Sequence, residues 1–154
     1  VIIQHEDMHT KNLSLIYDKD LVFFAPLYDV SCTGIYDTSK GYDSHLTING
    51  KQSNIRPNDF KPLCKILKID FKEFKEEAFK IAKLYETELP SYIEEIKALG
   101  SISFYKKKQK ARIGEGAYLK VSKIPIEFHE LLSKFHKERV EHLKALGWII
   151  NESL

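Results

Sequence analysis

The sequence predicts a mainly α fold with a small β-hairpin near its start, and three observations lead there. Two short β-rich runs, Leu13-Ser14-Leu15-Ile16-Tyr17 and Leu21-Val22-Phe23-Phe24, flank the turn-forming Asp18-Lys19-Asp20. Apolar residues then recur at helical spacing, first at Phe71, Phe74, Ala78, Ile81, Ala82 and Tyr85, later at Phe128, Leu131, Leu132, Phe135, Leu143 and Leu146. A chain of 154 residues fits one domain and is long enough to bury both stripes in a core.

The elements follow in order. The hairpin occupies residues 13–24, and Pro26 closes its second run. Residues 57–68 hold two prolines, so a turn followed by a short helix from Pro62 is expected. Asp70 is a good N-cap, with Glu73 at the third helical position. Pro90 should interrupt that helix, leaving a second one from Ser91 to Leu99 closed by Gly100. The last helix should begin near Pro125 and end at Gly147. Residues 1–51 thus carry the polar motifs, and residues 52–154 read as a helical bundle.

Composition excludes more than it assigns. A net charge of +2 and a pI near 8.4 point to no strongly electrostatic partner. Cys32 and Cys64 make neither a disulfide framework nor a zinc set, which suits the cytosol. No apolar run approaches the roughly 20 residues needed to span a bilayer, and Val1-Ile2-Ile3 lacks the charged leader of a signal peptide. No membrane partner is expected.

Chemistry concentrates at the start. Asp7 is followed by four residues and then Asn12. At that spacing, as in the catalytic loop of kinases, a carboxylate can orient an attacking hydroxyl while the amide oxygen reaches Mg²⁺. His5 stands two residues before the Asp, where the protein-kinase loop also has a His. The spacing alone occurs by chance in roughly a third of chains this long, but the longer string Asp7-x-His9-x-Lys11-Asn12 in only about one in a few thousand. The hairpin should return Asp29 beside Asn12, as two ligands of one metal require.

Asp7-Met8-His9-Thr10-Lys11-Asn12-Leu13-Ser14-Leu15, followed by Ala25-Pro26-Leu27-Tyr28-Asp29-Val30, resembles the HipA-like serine/threonine kinases, toxins of bacterial toxin–antitoxin pairs. Leu46-Thr47-Ile48-Asn49-Gly50-Lys51 resembles a segment that follows the metal-binding Asp in that family, so the specific likeness covers residues 2–51. It implies a protein-kinase-like C-terminal lobe and Mg²⁺-dependent transfer of the ATP γ-phosphate to a Ser or Thr hydroxyl of a protein. Asp7 would be the catalytic base, Asn12 and Asp29 the Mg²⁺ ligands, and His9 and Tyr28 neighbours of the nucleotide, with Lys11 steadying the loop or a phosphate. Gln4 and His5 depart from the Gly-Asn often found in relatives. The chain opens in mid-motif on Val1, so an N-terminal lobe carrying the phosphate-binding lysine is an expected partner. A DNA-binding HipB-like antitoxin is another, and the family suggests an aminoacyl-tRNA synthetase as substrate. This lobe alone should be inactive.

Competing readings fit some of the same residues. A small-molecule phosphotransferase of the aminoglycoside or choline kinase type would share His5, Asp7 and Asn12, although Asp29-Val30-Ser31 lacks the aromatic and acidic residues usual there. A non-catalytic, kinase-like binding lobe is a further alternative, and turn chemistry is the plain reading of an Asp-rich loop. His129, His136 and His142 are too widely spaced for a helical metal site. The basic run 106–112 reads as a solvated loop, so direct nucleic-acid binding is not expected, and Gly114-Glu115-Gly116 reads as a turn.

Overall fold

The computed structural model describes residues 1–7, 9–36, 39–107, 111–113, 116–118 and 123–150. It is mainly helical, with three two-stranded antiparallel ladders. Strands β1 (Leu15–Asp18) and β2 (Leu21–Phe24) pair as the hairpin, Leu15 opposite Phe24 and Asp18 opposite Leu21. Lys19, at φ 53°, takes the left-handed turn position. Both faces of the hairpin are exposed, Leu21 and Phe24 at 66% and 70%, and Leu27 just beyond it is 73% exposed.

A second tight turn sits in the segment 46–51. Asn49 and Gly50 both have positive φ, 48° and 77°, the requirement of a type I′ turn, and Ile48 and Lys51 exchange backbone hydrogen bonds of 2.8 and 3.0 Å across it. Lys51 Nζ then reaches both oxygens of Asp59 at 2.9 and 3.0 Å. That pairing and a hydrogen bond from the Arg56 amide hold the Asp59 carboxyl below the usual carboxylate range. The Asn-Gly-Lys string is therefore a structural clasp onto the 3₁₀ turn Pro57–Phe60.

Helix α1 (Lys61–Leu67) begins one residue before the expected Pro62, which lies in its first turn, where a missing N–H costs nothing. Helix α2 (Phe71–Ala98) starts at Asp70, whose carboxylate accepts from the amides of Lys72 and Glu73 at 2.7 and 2.9 Å. Pro90 does not divide it, a correction to the sequence reading. Burial on both sides of the proline outweighs the one lost backbone bond: Ala78 and Ala82 lie in one core cluster and Ile93 in the other. The buried line 78–82–93 leaves Ile81 turned outward at 53% exposure, against expectation.

The stretch before the last helix also differs. Strand β3 (Ser103–Lys107) pairs with β6 (Lys123–Glu127), and β4 (Ala111–Ile113) pairs with β5 (Gly116–Tyr118) between them. Pro125 lies inside β6, and helix α3 (Phe128–Leu146) starts three residues later. The alternation Ile124-Pro125-Ile126 is the strand signal that the proline masked. Of the basic run, Lys108, Gln109 and Lys110 lie outside the described residues, as do Gly114 and Glu115.

Helix α3 packs on α2 in two clusters. One joins Ile55, Ala82, Val140, Leu143 and Trp148, and the other joins Ile35, Ile93, Leu131 and Leu132. Trp148 closes the first, donating from Nε1 to the Ile55 carbonyl at 2.6 Å. Gly147, at φ 80°, ends α3 in the left-handed conformation. No helix among the described residues is long and apolar enough to cross a membrane.

Candidate active site

Helix α3 anchors the chain that leads into the Asp7–Asn12 loop. Arg139 is buried and donates from Nε to the Ile2 carbonyl at 3.0 Å, from Nη2 to the Val1 carbonyl, and from Nη1 to Asp43 Oδ1 at 2.7 Å. Asp43 also accepts from the Ile55 amide at 3.0 Å, and His142 Nε2 stands 3.4 Å away. Burial favours the neutral acid, but these donors and the guanidinium charge together hold the Asp43 carboxyl below its ordinary range. One buried ion pair thus ties residues 1–2 and 43–55 to the helical layer.

From this anchor the chain turns sharply at Gln4, whose φ is 53°. That is the left-handed region glycine adopts at little cost and few other residues adopt. A 3₁₀ turn, Thr10–Asn12, follows Asp7 and presents Asn12 inward at 3% exposure.

The hairpin does return Asp29 to the loop. Asn12 Nδ2 donates to Asp29 Oδ2 at 2.7 Å, while Asn12 Oδ1 accepts from the His9 amide at 3.0 Å. Asp29 is itself held at φ 53°, a conformation few non-glycine residues adopt. Tyr28 makes the neighbouring contact: its hydroxyl donates to the Lys11 carbonyl at 2.7 Å and lies 2.7 Å from Ser14 Oγ. This phenol spans the base of the hairpin. It is a brace for the loop first, whatever else approaches it.

Asp7 stands apart from that pair. It is exposed and lines a cleft of about 550 Å³ together with Tyr36, Ser39, Lys40, Tyr42 and Gln52. His9 and Lys11 are exposed, and each joins the loop through its backbone, the His9 amide to Asn12 and the Lys11 carbonyl to Tyr28. The sequence-predicted residues therefore fall into two groups, with Asn12, Asp29, Tyr28 and the Lys11 backbone hydrogen-bonded together and Asp7 opening onto the cleft. No group of three or more His, Cys, Asp or Glu side chains suited to a metal occurs among the described residues.

Sequence reasoning missed Glu6. Its carboxylate accepts from Ser39 Oγ at 2.6 Å, the Lys40 amide at 2.9 Å, the Tyr42 amide at 3.0 Å and Gln4 Nε2 at 3.2 Å. Burial pushes its carboxyl up, but the Ser39, Lys40, Gln4 and Tyr42 donors together outweigh that and hold it low. The three histidines of α3 do not converge: His136 sits 3.0 Å from the Tyr85 carbonyl, whereas His142 faces Asp43.

The HipA-like C-terminal domain family matches residues 1–101, about two thirds of the chain. The chain belongs to that family. No curated protein and no solved structure matches it.

Proposed function

We propose that this chain is the catalytic lobe of a HipA-like serine/threonine protein kinase that transfers the ATP γ-phosphate to a protein hydroxyl. The carrying observation is the 2.7 Å contact between Asn12 and Asp29, made across the base of the hairpin, with Asp29 in a left-handed backbone conformation. Family membership supports the same reading.

Each residue then has a part. Asp29 supplies a carboxylate and Asn12 an amide oxygen, a sparse all-oxygen set of the kind Mg²⁺ accepts when substrate phosphates complete its shell. Mg²⁺ bound there would neutralise charge on the β- and γ-phosphates. To offer that oxygen beside Asp29, the Asn12 amide must turn over, giving up both the Nδ2 donation to Asp29 and the Oδ1 bond from the His9 amide. Asp7 accepts or orients the proton of the attacking hydroxyl, and its exposure on the cleft leaves it open to an acceptor. Tyr28 holds the hairpin against the loop, and its position with His9 and Lys11 is the nucleotide side. The bare apolar hairpin, contiguous with the Asn12–Asp29 pair, is the surface an N-terminal phosphate-binding lobe of the same protein would cover. A toxin role, with a HipB-like antitoxin as partner and a cytoplasmic setting, belongs to the same proposal.

The test is phosphotransfer by the full-length protein with Mg²⁺ and ATP, comparing a Ser/Thr protein acceptor with aminoglycosides and choline. Transfer to protein that is lost in Asp7→Asn supports the reading. Transfer only to the small molecules, or none to protein, overturns it.

A further inference from the structure

Resting on that reading, we infer that Glu6 is a positioning residue, a clasp that fixes segment 39–42 as the wall of an acceptor cleft beside Asp7. Four donors converge on its carboxylate, three of them from Ser39, Lys40 and Tyr42. The wall is folded to meet it. Gly41 has φ 76°, and its amide donates to Ser39 Oγ at 3.1 Å, which orients that hydroxyl's proton toward Glu6. Successive backbone N–H groups around a left-handed residue form an anion-binding concavity. Here the occupant is a side chain of the same protein, one residue from Asp7.

A second link locks the other side. The Glu6 amide donates to Thr33 Oγ1 at 2.7 Å, and that hydroxyl donates in turn to the Gln4 carbonyl at 2.7 Å. Glu6 thus joins three segments: the turn before Asp7, the 3₁₀ turn Thr33–Ile35, and residues 39–42. All three contribute to the cleft, whose volume of about 550 Å³ falls inside the roughly 300–1,000 Å³ of ordinary ligand sites. The lining is polar, with Thr33, Tyr36, Ser39, Lys40, Tyr42 and Gln52. It suits an extended polypeptide whose hydroxyl must arrive at Asp7. The nucleotide would sit on the Asn12–Asp29 side, so the clasp acts on acceptor binding and leaves ATP alone.

The experiment pairs kinetics with exchange. In the full-length protein, Glu6→Ala should raise the KM for the protein acceptor by about tenfold or more, as loss of several charge-assisted hydrogen bonds implies. KM for ATP should stay within about twofold, and Glu6→Gln, which keeps one acceptor oxygen, should fall between. Amide exchange at Lys40 and Tyr42 should quicken in Glu6→Ala while the α2 and α3 amides keep their protection. An active parent whose acceptor KM or Lys40 and Tyr42 exchange is unmoved by Glu6→Ala overturns the inference alone. So does an equal rise in both KM values, the mark of general loosening. A full-length protein that transfers no phosphate to protein instead sinks the reading of the preceding subsection, and the acceptor role with it.

Discussion

Replacing Asp43 with Ala should be among the most destabilising single changes in the chain outside the apolar core. Asp43 and Arg139 are 2% and 5% exposed, so the pair is out of contact with water. Removing one partner of such a pair costs about 3–5 kcal/mol, because a buried charge is left uncompensated. Two features move the value within that range. Arg139 keeps its bonds to the Ile2 and Val1 carbonyls, which soften the loss, but the Ile55 amide loses its acceptor as well, which adds about 1 kcal/mol or more. An expected loss of about 3–4 kcal/mol is a large share of the roughly 5–15 kcal/mol that holds a domain together. In a chain of this size it corresponds to a fall in Tm on the order of 10 °C. Urea unfolding followed by far-UV circular dichroism is the assay, with Arg139→Met alone and the Asp43→Leu/Arg139→Met double variant beside it. The double variant should recover much of the loss, since no charge is then stranded. If Asp43→Ala cost less than about 1 kcal/mol, the pair would not be the anchor of residues 1–2 and 43–55, and the account of how the loop is positioned would fail.

In the full-length protein, Asp7→Asn should retain nucleotide binding and lose most of the transfer rate, whereas Asp29→Ala should weaken Mg²⁺-dependent nucleotide binding itself; calorimetry and steady-state kinetics separate the two. Gly34→Ala should destabilise by about 1–3 kcal/mol, because the added Cβ would lie 2.5 Å from the Phe135 ring; thermal melts of the variant test this. Gly147→Ala meets no such obstacle and should cost only about 1 kcal/mol through its φ of 80°, again read from melts. Glu6, Asp43 and Asp59 all have depressed carboxyl pKa values in the fold, so the unfolded chain binds protons more readily. Their stabilisation is therefore complete above the ordinary carboxylate range and is lost as pH falls through the lower folded values. Acid titration of stability should show this slope, reduced in Asp43→Asn.

The hairpin, the start of α2 and the end of α3 were legible because their signals are local. Alternating apolar residues around Asp18-Lys19-Asp20 and the Asp70 cap act within a few residues of chain. Two of the misreadings share a cause in proline. Pro90 reads as a break, yet α2 runs through it, because the cost of one missing hydrogen bond is set locally while the burial of Ala82 and Ile93 is set by α3. Pro125 reads as a helix start, yet its residue pairs with Tyr105 in a ladder, and a partner 20 positions away leaves no mark in the local pattern.

The site divides along the same line. Asn12 and Asp29 were readable because a hairpin fixes the distance between its own ends, and the 2.7 Å contact follows from that register. Glu6 was not, since three of its four donors lie 33 to 36 residues onward and nothing around Ser39-Lys40-Gly41-Tyr42 announces an anion nest. The adjacency Glu6-Asp7 was the available clue. Glu6 and Asp7 follow one another in a turn, and the two neighbouring carboxylates meet different surroundings. One is satisfied by four donors and the other is left exposed. A carboxylate saturated with donors is a poor base. That is the physical reason the proposed proton-handling role is given to Asp7 and the structural one to Glu6.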